Sequence, residues 1–390
     1  MPIVAVIGDG QLARMMQTSA IELGQSLRVL AGAPDSSAAQ VAADVVLGDY
    51  TNIDDLRVAI EGADVMTFDH EHVPNEHLHQ LIAEGVNVQP RPEALVNAQD
   101  KLVMRKRLRE LGAPVPPFAA IESVEDAVGF FEAVDGQVCL KARRGGYDGK
   151  GVWFPADVAE LQSLVAELLD GGTPLMAEKK VALNRELSAM VARTPSGETK
   201  AWPVVESVQK NGVCAEAIAP APELSAELQE STRGLAQKIA TELGVTGVLA
   251  VELFETLDQN GQPEIFVNEL AMRPHNTGHW TQDGCVTSQF EQHLRAVLDY
   301  PLGATDTLAD YTVMANVLGA DTDPEMPMAT RMVEVWRKYP DAKIHLYGKG
   351  HRPGRKFGHV SLVGSDVEAT REAALASAYF LVHAEWPAEV

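Results

Sequence analysis

The sequence predicts an α/β protein in three parts: a parallel-sheet domain, a larger mixed domain containing an antiparallel hairpin, and a small closing α+β domain. Three observations predict it. Short apolar runs alternate with helical patterns from Ile3 to Glu84. A loop with four glycines in seven residues, Gly145 to Gly151, stands between two strand-like runs. An Asn260-Gly261 hairpin signal separates Val248 to Phe254 from Ile265 to Leu270, both of strand composition. At 390 residues, a prior of roughly 150 residues per domain allows two or three domains.

The first strand, Ile3 to Ile7, runs into Gly8-Asp9-Gly10-Gln11-Leu12-Ala13 and a helix through about Leu23. This matches the G-x-G-x-x-G/A turn that aims backbone amides at a phosphate. A dinucleotide site also wants an acid at the end of the next strand. Leu27 to Leu30 ends instead in Ala31-Gly32, with Asp35 arriving late, so nicotinamide binding is the weaker reading. Val45 to Leu47 with a helix from Ile53, then Asp64 to Phe68 with a helix from Glu76 to Glu84, complete a Rossmann-like parallel sheet. Ligands belong at the carboxyl ends of such strands, where Glu71 and His72 lie.

Asn97 to Leu111 reads as one helix with a solvated basic face (Lys101, Arg105, Lys106, Arg107, Arg109), closed by Gly112 and a proline-rich turn. Beyond it, helical and strand patterns mix up to about Val205. The glycine loop there is no Walker loop, because Gly151 replaces the hydroxyl residue, yet it lets backbone amides approach a ligand. Lys141, two residues before the loop, lies in an apolar strand and needs a partner; a nucleotide phosphate is one candidate. Glu178 to Val181 can offer edge backbone to an adenine, and Glu186 can take ribose hydroxyls.

If Asn260 and Gly261 form a two-residue turn, Glu252 stands directly opposite Glu269. Like charges so placed cost on the order of 0.2–1 kcal/mol. Either the pair is wet and tolerated, or a cation sits between. Magnesium suits the second case, taking one or two carboxylates and completing its shell with water and phosphate. Arg273, His275, Asn276, His279 and Trp280 follow within a dozen residues. A helix at Gln289 to Val297 and strands at Thr312 to Val317 and Ala342 to Tyr347 then lead to Lys349-Gly350-His351-Arg352-Pro353-Gly354-Arg355-Lys356. Its four fixed cations, without an acid, make a basic island. Phe357 to Val363 is a strand, and Asp366 to Val382 a closing helix.

Composition bounds the partners. A net charge of −23 argues against nucleic acid or an anionic membrane as the main partner, so an anionic substrate needs a local basic pocket. Cys139, Cys214 and Cys285 are too few and too far apart for a disulfide framework or a zinc spacing. They read as reduced thiols, and with no targeting segment in the sequence the expected compartment is the cytoplasm.

A lysine before a glycine-rich hairpin, an E-K-K-V hinge and two glutamates on adjacent strands together resemble the ATP-grasp superfamily, which drives ligation through acyl-phosphates. GDGQLARM, RRGGYDGKG, NELAMRPHNTGHWT and RPGRKFGHV narrow the resemblance to the 5-(carboxyamino)imidazole ribonucleotide synthases of purine biosynthesis. The resemblance implies a Rossmann-like substrate-binding domain (1–96), an ATP-grasp domain (97–300, lid about 117–180) and a C-terminal domain with the basic loop (301–390). It also implies ATP, bicarbonate and 5-aminoimidazole ribonucleotide as substrates, magnesium as cofactor, and a homodimer.

The resemblance assigns Lys101, Lys141 and the loop Gly146, Tyr147, Asp148, Gly149, Lys150, Gly151 and Val152 to the ATP phosphates. Glu178, Lys179, Lys180 and Val181 fall to the adenine, Glu186 to the ribose, and Glu252 and Glu269 to magnesium. Arg273, His275 and Asn276 would face bicarbonate and the incoming amine, with Tyr147 and Asp148 reaching the aminoimidazole from the lid. Gly10, Gln11, Leu12 and Glu71 would hold the ribonucleotide, and Lys349, Arg355 and Lys356 its phosphate. Two positions depart from the pattern. Ala271 stands where many ATP-grasp enzymes have an asparagine ligand, and Asn268, in a regular strand, would point away from Glu269. Gln209 replaces a histidine that some relatives place near the nucleotide. A formate-using relative would keep the ATP residues but lack HNTGHWT and RPGRK, and a non-catalytic nucleotide-binding module would have little use for both glutamates.

Overall fold

The computed structural model describes residues 1–146, 150–210 and 212–388. Tyr147, Asp148 and Gly149, three of the loop positions singled out above, lie outside the described residues.

The amino-terminal sheet has four parallel strands in the order Asp44–Leu47, Leu27–Ala31, Val4–Ile7, Val65–Phe68. Val4–Ile7 and Val65–Phe68 are buried throughout, as strands covered on both faces should be. The predicted elements here agree with the observed ones to within two residues at each end. Helix Gln11–Glu22 starts directly after the Gly8–Gly10 turn.

The expected helix over 97 to 111 is two helices, Pro92–Gln99 and Lys101–Glu110. Asp100 breaks it. Its backbone is extended, and its carboxylate accepts from Leu102 N and Val103 N, capping the second helix. The same carboxylate takes Arg143 at 2.9 Å and Arg144 at 3.1 Å, tying that helix end to the glycine loop.

A four-stranded antiparallel lid follows, ordered Phe118–Ile121, Leu175–Lys179, Val138–Ala142, Val152–Trp153. Helices Val124–Ala133 and Val158–Asp170 cover one face around Leu140, Leu161 and Val165. The central sheet has nine strands, with Pro263–Ala271 at one edge, Gly247–Leu257 and Leu183–Arg193 next, and Tyr311–Leu318, Lys356–Gly364 and Lys343–Leu346 at the far side. It runs without a break across residue 300, since Tyr311–Leu318 pairs antiparallel with Val213–Ala219.

The hairpin turn differs from the expectation. Leu257 pairs with Pro263, so the loop has five residues, Asp258 to Gln262, closed by Asp258 accepting from Asn260 N and Gln262 N. Continued unbroken, this register would set Glu252 opposite Asn268. A bulge intervenes: Leu253 pairs with Val267, Asn268 is the extra residue, and Glu252 faces Glu269 after all. The predicted pairing is therefore present, produced by a bulge and not by the turn.

Candidate active site

Between lid and central sheet lies a cavity of about 530 Å3. Strand alternation aims its charged walls inward. Lys141 comes from the lid, Glu186 from Leu183–Arg193, Glu252 from Gly247–Leu257, and Asn268 and Glu269 together from the bulge. The distortion that Asn268 would need to join Glu269 is present, and its Oδ1 accepts from Lys141 Nζ at 3.3 Å.

Glu269, Glu252 and Glu178 each have a counter-group in the cavity. Lys101, in the first turn of its helix, meets Glu269 at 2.7 Å. His275 Nε2 stands 3.1 Å from Glu252 Oε1, and its Nδ1 meets Thr277 Oγ1 at 2.9 Å. Burial works against an ionised Glu252, but the His275 hydrogen bond and charge, with Arg273 and Lys101 beyond, hold it below the usual carboxylate range. Glu186 has no such help; burial, then the charges of Glu252 and Glu269, push it up to about 7 against the pull of Lys141.

Glu178 is 2% exposed and divides its oxygens. Arg105 donates to Oε2 through Nε and Nη2 at 3.0 and 2.8 Å, while Lys141 pairs with Oε1. Burial opposes the charge of Glu178, and the two cations overcome it, bringing the carboxyl down to about 2. Arg105, expected on a solvated face, is 1% exposed. Lys141 thus has a protein partner, and Arg105 would keep Glu178 satisfied if Lys141 turned toward a phosphate.

A magnesium ion fits the donor set. Two opposed carboxylates and an amide oxygen are hard ligands that leave sites for phosphate and water. Among the described residues no three His, Cys, Asp or Glu side chains gather into a metal site of their own.

A second group of residues lies where the first strands end. Asp69 accepts from Gly10 N at 2.6 Å, so that amide is already engaged. A Cβ at Gly8 would come within 1.7 Å of Asp69 Oδ1, and Gly8 holds φ of +116°; only glycine fits. Burial pushes Asp69 up to about 7 despite this bond. Glu71 accepts from Met272 N at 3.1 Å and pairs with Arg273 at 2.9 Å. Lys349 from the basic loop reaches Gln11 Oε1, while Gln40 donates to Gly348 O and Ser37 to Tyr347 O. Burial and the neighbouring charge of Arg355 lower the Lys349 ammonium.

Comparison with known proteins bears on both groups. A family model described as the ATP-grasp domain matches residues 106–290, a ribonucleotide synthetase preATP-grasp domain matches 1–99, and a phosphoribosylaminoimidazole carboxylase C-terminal domain matches 312–373. An N5-carboxyaminoimidazole ribonucleotide synthase of Corynebacterium ammoniagenes is 67% identical over 99% of this chain and 93% of that protein. The chain belongs to the N5-carboxyaminoimidazole ribonucleotide synthase family.

Solved N5-carboxyaminoimidazole ribonucleotide synthases share the whole fold. The Thermus thermophilus structure has TM-score 0.86 at 34% identity, covering 99% of this chain and 100% of that one. An Aspergillus clavatus structure in complex with ADP and 5-aminoimidazole ribonucleotide has TM-score 0.86 at 30% identity, covering 98% and 99%.

Within this N5-carboxyaminoimidazole ribonucleotide synthase fold, the residues singled out in the sequence fall into two sets. Lys101, Lys141, Gly146, Lys150, Val152, Glu178, Lys179, Lys180, Val181, Glu186, Glu252, Asn268, Glu269, His275 and Asn276 line the cavity, and so does Lys356 from the basic loop. Gly151 closes the glycine hairpin, its carbonyl accepting from Ala142 N. Gly10, Gln11, Leu12, Glu71, Arg273, Lys349 and Arg355 are not on the cavity wall; they belong to the second group around the Gly8–Gly10 turn and the basic loop.

The cavity also includes Cys139, Phe154, Leu183, Gln209, Gly212, Cys214 and Phe254. Two of these were legible: Cys139 and Phe254 stand two residues from Lys141 and Glu252, on the same strand faces. Burial pushes the Cys139 and Cys214 thiols up to about 11, which leaves them protonated and poor nucleophiles. Gln209, at the position doubted from sequence, lines the cavity and donates to Ser207 at 2.8 Å.

Proposed function

We propose that this protein carboxylates 5-aminoimidazole ribonucleotide with bicarbonate, at the cost of ATP, giving N5-carboxyaminoimidazole ribonucleotide, ADP and phosphate in purine biosynthesis. The observation that carries the reading is the bulged pair Glu252 and Glu269, flanked by His275 and Lys101 in one cavity with Lys141. A nucleotide-binding module would have no need of it.

In this reading the adenine lies along the Lys179 to Val181 backbone, with Glu186 on the ribose. Lys101, Lys141 and Lys150 meet the phosphates. Magnesium held by Glu252 and Glu269, with Asn268 beside them, would draw charge off the phosphate oxygens. Bicarbonate attacks the terminal phosphorus to give carboxyphosphate and ADP, and the ribonucleotide amine then takes the carboxyl group as phosphate leaves. Arg273, His275 and Asn276 face that exchange. Little covalent work falls to the protein, so positioning and charge neutralisation dominate.

The ribonucleotide lies at the second group, between Gln11, Leu12 and Glu71 on one side and Lys349 and Arg355 on the other, while Lys356 of the same loop lines the cavity. Because Asp69 occupies Gly10 N, the phosphate is met chiefly by the basic loop, whose guanidinium suits it. The working form is a cytoplasmic homodimer.

ADP release by the purified protein with magnesium tests this. Turnover should require both the ribonucleotide and bicarbonate; turnover indifferent to either would remove the substrate assignment.

A further inference from the structure

The chain leaves the sheet at Ala271 and crosses a 3-10 turn, Asn276–Gly278, and a short helix, Thr281–Gly284, before helix Gln289–Val297. Much of its backbone must find partners outside a ladder. The first residue of the last helix supplies them for His275. Gln289 is 0% exposed. Its Oε1 accepts from His275 N at 2.7 Å, and its Nε2 donates to His275 O at 2.8 Å and to His279 Nδ1 at 2.9 Å. A backbone N–H can only donate and a carbonyl only accept, so these contacts fix the amide orientation and place the His279 proton on Nε2.

The surroundings are shaped to the amide. A Cβ at Gly278 would come within 2.5 Å of Gln289 Oε1, so glycine makes the room. Gln289 N donates to Thr281 Oγ1 at 2.9 Å, and Thr281 in turn donates to Gly278 O at 2.6 Å. The loop is thus held at His275 and His279 by the Gln289 side chain, and at Gly278 by Thr281, which accepts from Gln289 N. His275 presents Nε2 to Glu252 from this held backbone, and Asn276 lines the cavity beside it. Gln289 itself is absent from the cavity wall.

We propose that Gln289 is a positioning residue for the carboxylation step. It grips the His275 backbone at both polar groups and so sets where the imidazole and Asn276 stand against Glu252 and the reacting carboxyl group, without touching nucleotide or substrate. The assignment rests on the ligase reading above. The adenine hinge belongs to the lid, on other elements, so ADP affinity without magnesium is independent of the grip, while turnover depends on it.

The test compares the full-length parent with Gln289→Glu, which keeps the acceptor and loses both donors, and Gln289→Met, which fills similar volume with no hydrogen bonds. Displacing a reacting group by an ångström costs about 100-fold, so kcat should fall between roughly 10- and 100-fold in both variants. Magnesium-free ADP affinity should stay within about twofold of the parent, and ADP formation should outrun carboxylated product. Parent-like kcat in either variant overturns the assignment. So does a parallel loss of kcat and ADP affinity in both, which would make Gln289 a general support of the core. A parent that makes no product refutes the ligase reading and this role with it, whereas an active parent with equally active variants refutes the role alone.

Discussion

Arg105 carries a charge that its sequence context hides. On a helix with four other basic residues it reads as solvated, since a lone arginine is rarely buried, but its carboxylate partner Glu178 is 73 residues away and only the fold brings them together. Removing Arg105 leaves buried Glu178 with Lys141 alone, so Arg105→Met should cost about 3 kcal/mol in denaturant unfolding; a loss under about 1 kcal/mol would fit a surface pair instead. Glu269 gave a clearer signal, because an acid opposite another acid asks for a cation. Glu269→Gln should lower ATP turnover by roughly 100-fold or more, read as ADP release. Asp69 was missed altogether, standing two positions before the acid that was noticed. Its carboxyl titrates at about 7 in the folded chain against an ordinary value of 3.8. The unfolded chain gives up this proton first, so stability is lost as pH rises between those values. Asp69→Asn should therefore gain melting temperature over the parent progressively from about pH 4 to pH 7 and level off above it; a constant difference across that range would count against the raised value.

At the scale of elements, the parallel strands were legible because each is a short apolar run bounded by glycine or an acid. The hairpin strands were legible too, but their turn was not. Asn-Gly favours a two-residue turn, and Asp258, whose carboxylate takes two backbone amides, closes a five-residue loop instead. Local side-chain bonding outweighed the dipeptide preference. The bulge has no sequence signature comparable to a glycine, which is why Asn268 was expected on the wrong face. Deleting Asn268 should close the bulge and leave Glu269 opposite Glu252. ATP turnover should then fall less than in Glu269→Gln, with far-ultraviolet circular dichroism retained; an equal fall would mean that the bulge itself sets the working geometry of the glutamate pair. Residues 206 to 247 were not assigned from sequence. Val213–Ala219 reads VCAEAIA, and alanine-rich runs are poor advertisements for a strand that is defined by its neighbours on both sides.

For the whole molecule, a chain of net charge −23 concentrates cations where anions must bind. Lys101, Lys141, Lys150 and Lys356 share one cavity, and Lys349 and Arg355 belong to the group around Gln11. Arg355→Ala should raise the Michaelis constant for the ribonucleotide roughly 10-fold, the equivalent of about 1.4 kcal/mol, while leaving that for ATP near the parent value; equal losses for both would remove Arg355 from its assigned role. The basic island was visible in the sequence, but its placement beside Gln11 was not, because spacing along a chain says nothing of contacts more than 300 residues apart.

Those contacts have a consequence in time. Ser37 and Gln40 are bonded to Tyr347 and Gly348, and Gln11 to Lys349, so the turn that opens the first domain is completed by residues translated near the end of synthesis. A nascent chain can build its parallel sheet early, yet its first ligand site waits on the ribosome for the last segment to emerge. Limited proteolysis of chains stalled short of residue 340 should find the 33–42 region cuttable, and released full-length chains should find it protected.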